Sequence, residues 1–513
     1  MNNRKIETQF FLSVLFSLFS VVINYSISFF LTSYITETMG AEAYGFVSLA
    51  KTFAGYASIL TIAINSFCAR YISIEYHKGD FESANKYFTS AFVADCFLGA
   101  VVLLIASGII VFLQYFLSIP QHLLIEVKWL FFLDVINFVI SSATTVFTTA
   151  TIIKNRLELG SIAKCFSYVV EAAFLMYAFC MFSVRIYYVG IGLILSSMVI
   201  GVANVAITRK YTPELRMKKR FFSFAHIKEI FFAGIWDSVN NIGNLLNSGL
   251  DLWVCNVMLS ALRSGQLAVV KTVSTIFSTM FQLLSQPLQP LQLKAFVEDE
   301  KEKQVRLFRL GIKLNGVISN VAFGFLAVFG MEYYTLWTPS QDIGVIHMIS
   351  IITIIGTVIE GAVYPLYYIY TLTVKNKIPC YVTVVSGFLN VVGMYFLIRY
   401  TEMDVYAVVI TTTILSWLVN FVFNPMYSAH CLGVSKWTFY PSLLRHILSS
   451  GVITMAFYLL RILYRPSTWT GLFLVGGICL VLGAIIHLMI VLDRVDREMI
   501  FKKIFRAKTR KGV

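Results

Sequence analysis

The sequence predicts an all-α polytopic membrane protein of about fourteen transmembrane helices. Three observations predict it. Of 513 residues, 58% are hydrophobic and only 13% are charged, against about 25% charged in soluble domains. Mean hydropathy is +0.76, and apolar runs of about 20 residues recur along the chain, the length of a spanning helix rather than a barrel strand. Lys and Arg also alternate between loops. Of the 41, 31 fall in segments assigned to one side, six in segments assigned to the other, and four (Lys51, Lys164, Lys271 and Lys313) inside spans. By the positive-inside rule both termini are then cytoplasmic.

The first span, 10–36, is too long for a signal-peptide core and reads as a retained helix. Ser17, Asn24 and Ser28 interrupt its apolar run. The second, 44–68, carries Lys51, Gly55, Ser58 and Asn65 on one stripe and leads to Arg70. Spans 87–116, 127–153, 161–183 and 187–208 complete an N-lobe, 1–208, and hold Asp95, Asp134 and Glu171 at membrane depth. A basic loop, 209–228, contains RKYTPELRMKKRFF and joins this lobe to a C-lobe, 229–429. Span seven, 229–259, places Asp237, Asn241, Asn244, Ser248 and Asp251 at steps of 4, 3, 4 and 3, one face of a helix, with Asn240 and Asn247 beside it. Span eight, 265–293, repeats the pattern with Lys271, Thr275, Ser278, Gln282, Ser285 and Gln289, and Pro287 and Pro290 are expected to break its cytoplasmic half. Spans 307–330, 343–371, 378–399 and 405–429 finish the C-lobe; Glu360 lies just before Pro365 in the tenth. Two more spans, 442–463 and 470–491 (within 430–491), lie outside the two lobes. A basic tail, 492–513, then sits near anionic headgroups.

The lobes are related. Residues 241–272 lie over 21–52 without a gap, pairing Asn244 with Asn24, Ser248 with Ser28, Ala261 with Ala41, Gly265 with Gly45, and Lys271-Thr272 with Lys51-Thr52. With six spans per lobe the copies share one orientation, so the expected symmetry axis runs along the membrane normal. Each lysine lies six residues beyond its glycine, about 9 Å into the helix. A lysine at helix centre costs about 2.5–3.5 kcal/mol on insertion scales. Two at equivalent places suit a paired site for an anionic ligand such as pyrophosphate, because each ammonium acts as a point charge. Snorkelling, or pairing with an acid such as Asp251, also accounts for either one alone.

Polar faces on four helices, two per lobe, point to one water-filled cavity, since unpaired polar groups cannot face lipid. Its expected lining is Asn24, Asn65, Asp237, Asn241, Asn244, Asn247, Asp251 and Gln282, with Lys51 and Lys271 as the cationic groups and Arg70 at the inner gate. Hydrogen bonding to a neighbouring helix is the competing role for each Asn and Ser. Glu171, Glu360 and Asp134 are candidates for coupling to a proton or sodium gradient, or for pairing with a lysine. The tyrosines at 364, 367, 368 and 370 suit either sugar stacking or interface anchoring. The net charge of +14 belongs to the cytoplasmic loops and implies no nucleic acid. Eight scattered cysteines and seven dispersed histidines give neither disulfides nor a metal site. No phosphate-binding loop, Ser/His/Asp arrangement or HExxH is present, so neither an enzyme nor a cofactor is expected.

The segment SFFLTSYITETMGAEAYGFVSLAKTFAGY (28–56), with GAEAYGFVSLAKTF (40–53) at its centre, and RYISIEYHKGDFESANKYF (70–88) resemble the polysaccharide transporter family. These are Wzx-like flippases of the multidrug/oligosaccharidyl-lipid/polysaccharide exporter superfamily. The resemblance implies a carrier of the bacterial cytoplasmic membrane that alternates access between two lobes. It implies an undecaprenyl-pyrophosphate-linked oligosaccharide as cargo, with polysaccharide polymerase and glycosyltransferases as partners. By it, Lys51 and Lys271 are cationic cavity residues. Lipid II flippases carry an Arg-Asp pair in their first helix, and many drug exporters an acid there. This first helix has no charge between Glu7 and Glu37, which favours the oligosaccharide branch over the alternative, a cation-coupled small-molecule exporter.

Overall fold

The computed structural model describes residues 3–493, with side chains from residue 15 onward except that of Ser17. The basic tail from 494 and the Ser17 side chain therefore lie outside the described residues. The described chain folds as fourteen helices: α1 (Asn3–Met39), α2 (Ala41–Lys78), α3 (Phe81–Val111), α4 (124–153), α5 (Leu157–Met181), α6 (Tyr187–Tyr211), α7 (224–258), α8 (Ala261–Val297), α9 (Lys301–Trp337), α10 (Ile343–Leu372), α11 (Lys377–Tyr400), α12 (Val405–Leu432), α13 (Tyr440–Leu463) and α14 (Trp469–Val491). Twelve are long and apolar enough to cross a membrane. The other two are α4, broken by a 3-10 turn at Val146–Thr148, and α7, broken by a π turn at Leu245–Gly249. This is the expected polytopic helical membrane protein.

Tight turns set the helix ends. Gly79 adopts φ 81° and its N–H reaches the last carbonyls of α2, while the Asp80 side chain accepts from Ser83 N (3.0 Å) to start α3. Both are standard ways of satisfying helix-end groups. The predicted proline break in α8 appears as a 3-10 turn at Gln286–Leu288, and Pro365 lies in another at Tyr364–Leu366 in α10. Three further breaks have no proline at their centre. They are a 3-10 turn at Val146–Thr148 in α4 and π turns at Leu245–Gly249 in α7 and Leu418–Phe423 in α12.

The chain forms two compact units. The first runs to Ala268 and takes in Thr383–Val391; the second holds Val269–Val382 and the chain from Val392. Within the first, α2 packs on α1, α3, α4 and α7. Glycine permits the closest approaches, as expected where small residues bring helix backbones together in lipid. A Cβ on Gly234 of α7 would lie 2.0 Å from the Ala63 carbonyl oxygen of α2. One on Gly265 would lie 2.0 Å from the Ala41 oxygen, and one on Gly45 would lie 2.9 Å from Gly265 Cα. The two glycines matched by the sequence repeat therefore meet each other.

In the second unit α9 is the axis, with α10, α13 and α14 packed on it. The last two helices are fixed by buried polar groups. His446 Nε2 donates to Val358 O (2.9 Å) and His487 Nε2 to Lys313 O (3.0 Å); Asn320 reaches both His446 O (3.0 Å) and His487 Nδ1 (3.1 Å). At the end of α14, Asp493 pairs with Lys313 (2.7 Å) and also with Arg445.

Candidate functional site

Lys51 lies on α2 one and a half turns past the Gly45–Gly265 contact, and it is exposed. Two acids of the same unit lie within electrostatic reach of its ammonium: Asp134 of α4 and Glu171 of α5. Asp134 is 2% exposed, and neither of its carboxylate oxygens has a hydrogen-bond partner. Glu171 is buried against α6, where a Cβ on Gly192 would sit 3.4 Å from its Cγ. A third acid, Asp95 of α3, is fully buried and accepts a bond from Asn65 Nδ2 (3.2 Å). The sequence places Asp95 at membrane depth but assigns it no role. Chemically, a cation beside two buried carboxylates can pair with either, and it can hold an anion once those acids are protonated. Asn24 of α1 is half-buried beside Tyr168 of α5, and Arg70 is exposed near the far end of α2.

The α7 stripe divides at its π turn. Asp237, Asn244 and Ser248 are exposed, with the local bonds Asn241 Nδ2 to Asp237 O (2.9 Å) and Ser248 Oγ to Asn244 O (3.0 Å) on this face. Beside and beyond the turn, the polar groups face α11. Asn247 donates to Thr383 O (2.8 Å) and accepts from Ser386 (2.9 Å); Asn390 donates to Asn247 O (2.7 Å) and approaches Asp251 (3.5 Å). A π turn inserts an extra residue and rotates the helix beyond it, so continuous 3.6-residue spacing does not extend through Leu245–Gly249.

In the second unit Lys271 is half-buried and Gln282 exposed on α8, and Glu360 is half-buried on α10. Glu360 lies within electrostatic reach of Tyr364 and Tyr367. Between the broken stretches of α8 and α10 is a cavity of about 190 Å³ lined by Ser285, Gln289, Gln292, Tyr364, Tyr367 and Tyr368, among others. Sequence reasoning missed Gln292. The signal was present: it continues the α8 stripe one step of three beyond Gln289. Among the described residues no cluster of His, Cys, Asp or Glu suits a metal ion.

A sequence profile described as polysaccharide biosynthesis protein matches residues 12–291. The uncharacterized membrane protein EpsK of Bacillus subtilis (strain 168) is 24% identical over 492 residues, covering 96% of this chain and 97% of that one. Among solved structures, lipid II flippase MurJ in an inward closed conformation aligns with a TM-score of 0.67 at 14% identity, over 94% of this chain and 98% of its own. An inward-facing multidrug-resistance transporter of the MATE family gives the same TM-score at 14% identity, over 82% and 99%. At that identity the likenesses establish the fold alone.

Proposed function

Because this chain belongs to the polysaccharide biosynthesis protein family, we propose that it is a flippase for a polyprenyl-pyrophosphate-linked oligosaccharide repeat unit. The cargo serves O-antigen, capsule, exopolysaccharide or teichoic-type synthesis in the bacterial cytoplasmic membrane. Both termini would face the cytoplasm, a placement that the split of basic residues between loops supports. The observation that carries this reading is Lys51: an ammonium left exposed on an apolar helix, matched by Lys271 through a repeat whose glycines touch. Each lysine would offer an ammonium to the pyrophosphate, and Asp237, Asn244 and Gln282 would offer hydrogen bonds to sugar hydroxyls. The polyprenyl tail would stay in lipid. Rocking of two lobes would then carry the headgroup across.

Asp134 and Glu171, within reach of Lys51, and Glu360 in the second unit, are the groups through which a proton or sodium gradient would enter the cycle. Arg70 would meet the cargo at the inner side. Polymerase and glycosyltransferases would act on the same lipid-linked pool. A cation-coupled exporter of small molecules uses the same fold, and nothing in this chain favours it. The test is mass spectrometry of polyprenyl-pyrophosphate glycans in a deletion strain. A complete repeat unit should accumulate and the surface polymer disappear. An unchanged lipid-linked pool with normal polymer would refute the reading.

A further inference from the structure

We propose that the cavity between the two broken stretches of α8 and α10 is a subsite for one sugar ring of the cargo, separate from the cationic residues. The proposal rests on the flippase reading and gives it a place where the glycan itself is held.

The chemistry of the walls selects the ligand. Gln292 is 1% exposed and its side-chain Nε2 has no hydrogen-bond partner. Such an orphan donor at the wall of a cavity marks a place for an incoming acceptor. Gln289 and Ser285 add further polar groups one turn or two away, on the stretch that Pro287 and Pro290 interrupt. The opposite wall is aromatic. Tyr364 and Tyr367 meet edge to face, with ring centroids 5.4 Å apart and planes at 67°. Ring faces with nearby amides match a pyranose, which presents C–H faces and hydroxyl edges. Among the described residues no lysine or arginine lines the cavity, and Glu360 stands within electrostatic reach of both tyrosines. That favours an uncharged sugar over pyrophosphate as the occupant. A lipid chain would leave the amides unpaired.

The walls are held in place from behind. Asn315 donates to Ser285 Oγ (2.8 Å) and to Phe281 O (3.2 Å). Tyr367 OH donates to Asn420 Oδ1 (2.6 Å) on α12, which also accepts from Asn424 (2.8 Å). The tyrosine patch is therefore divided: Tyr367 and Tyr370 commit their hydroxyls to α12, and Tyr364 and Tyr368 stand at the cavity. The volume of about 190 Å³ accommodates one ring. Lys271 lies roughly 14 residues, or about 21 Å, from Ser285 along α8. A single sugar in the cavity thus cannot also touch Lys271. The subsite would engage a sugar of the headgroup on the cytoplasmic side, before the pyrophosphate reaches the lysine.

The test is saturation-transfer NMR on the full chain in nanodiscs, free of sugar detergents. The probes are glucose, galactose, mannose, rhamnose, N-acetylglucosamine and N-acetylgalactosamine, and separately inorganic pyrophosphate. At least one sugar should bind, and Gln292→Leu, Gln289→Leu and Tyr364→Ala should each weaken it about tenfold, the equivalent of one hydrogen bond. The control Glu82→Gln, at an exposed position on α3 away from the cavity, should leave sugar binding unchanged. Should Gln292→Leu fail to fold, the other two substitutions, at less buried positions, carry the test. No sugar binding, or binding that all pocket variants preserve, overturns the subsite. Accumulation of lipid-linked glycan in the deletion strain with no sugar binding keeps the flippase and removes the subsite. Sugar binding lost in the pocket variants, with an unchanged lipid-linked pool, keeps the subsite and removes the flippase.

Discussion

Gly234→Ala is the sharpest test of how α2 and α7 are joined. The added Cβ would sit 2.0 Å from the Ala63 carbonyl oxygen, 2.8 Å from its carbon and 3.1 Å from its Cα. Real Cβ atoms essentially never approach closer than 3.0 Å, so the helices must part by about 1 Å at this point. The obstacle is backbone, which no rotamer change relieves. Overpacking of this kind costs about 1–3 kcal/mol. One turn along, Ser238 Oγ donates to Ile59 O at 3.0 Å, and parting the helices strains that bond too, for about 1 kcal/mol more. The control is Gly55→Ala on α2, where an added Cβ meets nothing within 4 Å. It should be neutral or slightly stabilising, since Ala is the better helix former by about 1 kcal/mol. The assay is the melting midpoint of the purified protein in nanodiscs, read by loss of the monodisperse chromatographic peak. Gly234→Ala should melt well below wild type and Gly55→Ala should not. Equal midpoints for the two variants would falsify the close α2–α7 contact.

Lys51→Ala and Lys271→Ala should each lower polymer export about tenfold or more, the loss of a charge-assisted contact, with normal membrane insertion. Quantification of surface polymer against immunoblotted protein separates the two effects, and full export in both variants removes the pyrophosphate site. Asn247→Leu should destabilise the first unit by about 1–3 kcal/mol, because Thr383 O and Ser386 Oγ lose their partner; limited proteolysis near α11 reads it, and unchanged protection refutes it. Asp493 carries a pH dependence. Lys313, then Arg445, hold its carboxyl below the ordinary carboxylate value. Its contribution is thus fully present above about pH 4 and is lost as pH falls through the lowered value. Melting midpoints of wild type and Asp493→Asn should differ at neutral pH and converge in acid; a gap that persists in acid contradicts the pairing.

Most of the fourteen helices were legible because lipid imposes a long apolar run on a span, as twelve of them show. The α8 and α10 breaks were legible because proline removes a backbone donor wherever it stands. The π turn in α7 carries no such residue. Leu245–Gly249 is a sequence that fits an ordinary helix, and the distortion comes from outside it, where Gly387 of α11 brings its backbone so close that a Cβ would lie 2.4 Å from Leu246 Cβ. A stripe counted at 3.6 residues per turn therefore reads correctly for Asp237 to Asn244 and cannot say that Asp251 turns towards Asn390. The same limit explains Asp134 and Glu171. Their burial was legible from the apolar residues around them, but their approach to Lys51 joins three helices, α2, α4 and α5, that periodicity treats separately. Gln292 is the opposite case. Its position on the stripe was legible, and only the facing tyrosines, brought alongside by a proline turn in a helix about 70 residues later in the chain, turn a polar position into the wall of a cavity. Periodicity within one helix thus finds polar residues in an apolar protein; which of them bind cargo depends on what the neighbouring helix places opposite, and Gln292 facing Tyr364 is where that dependence can be measured.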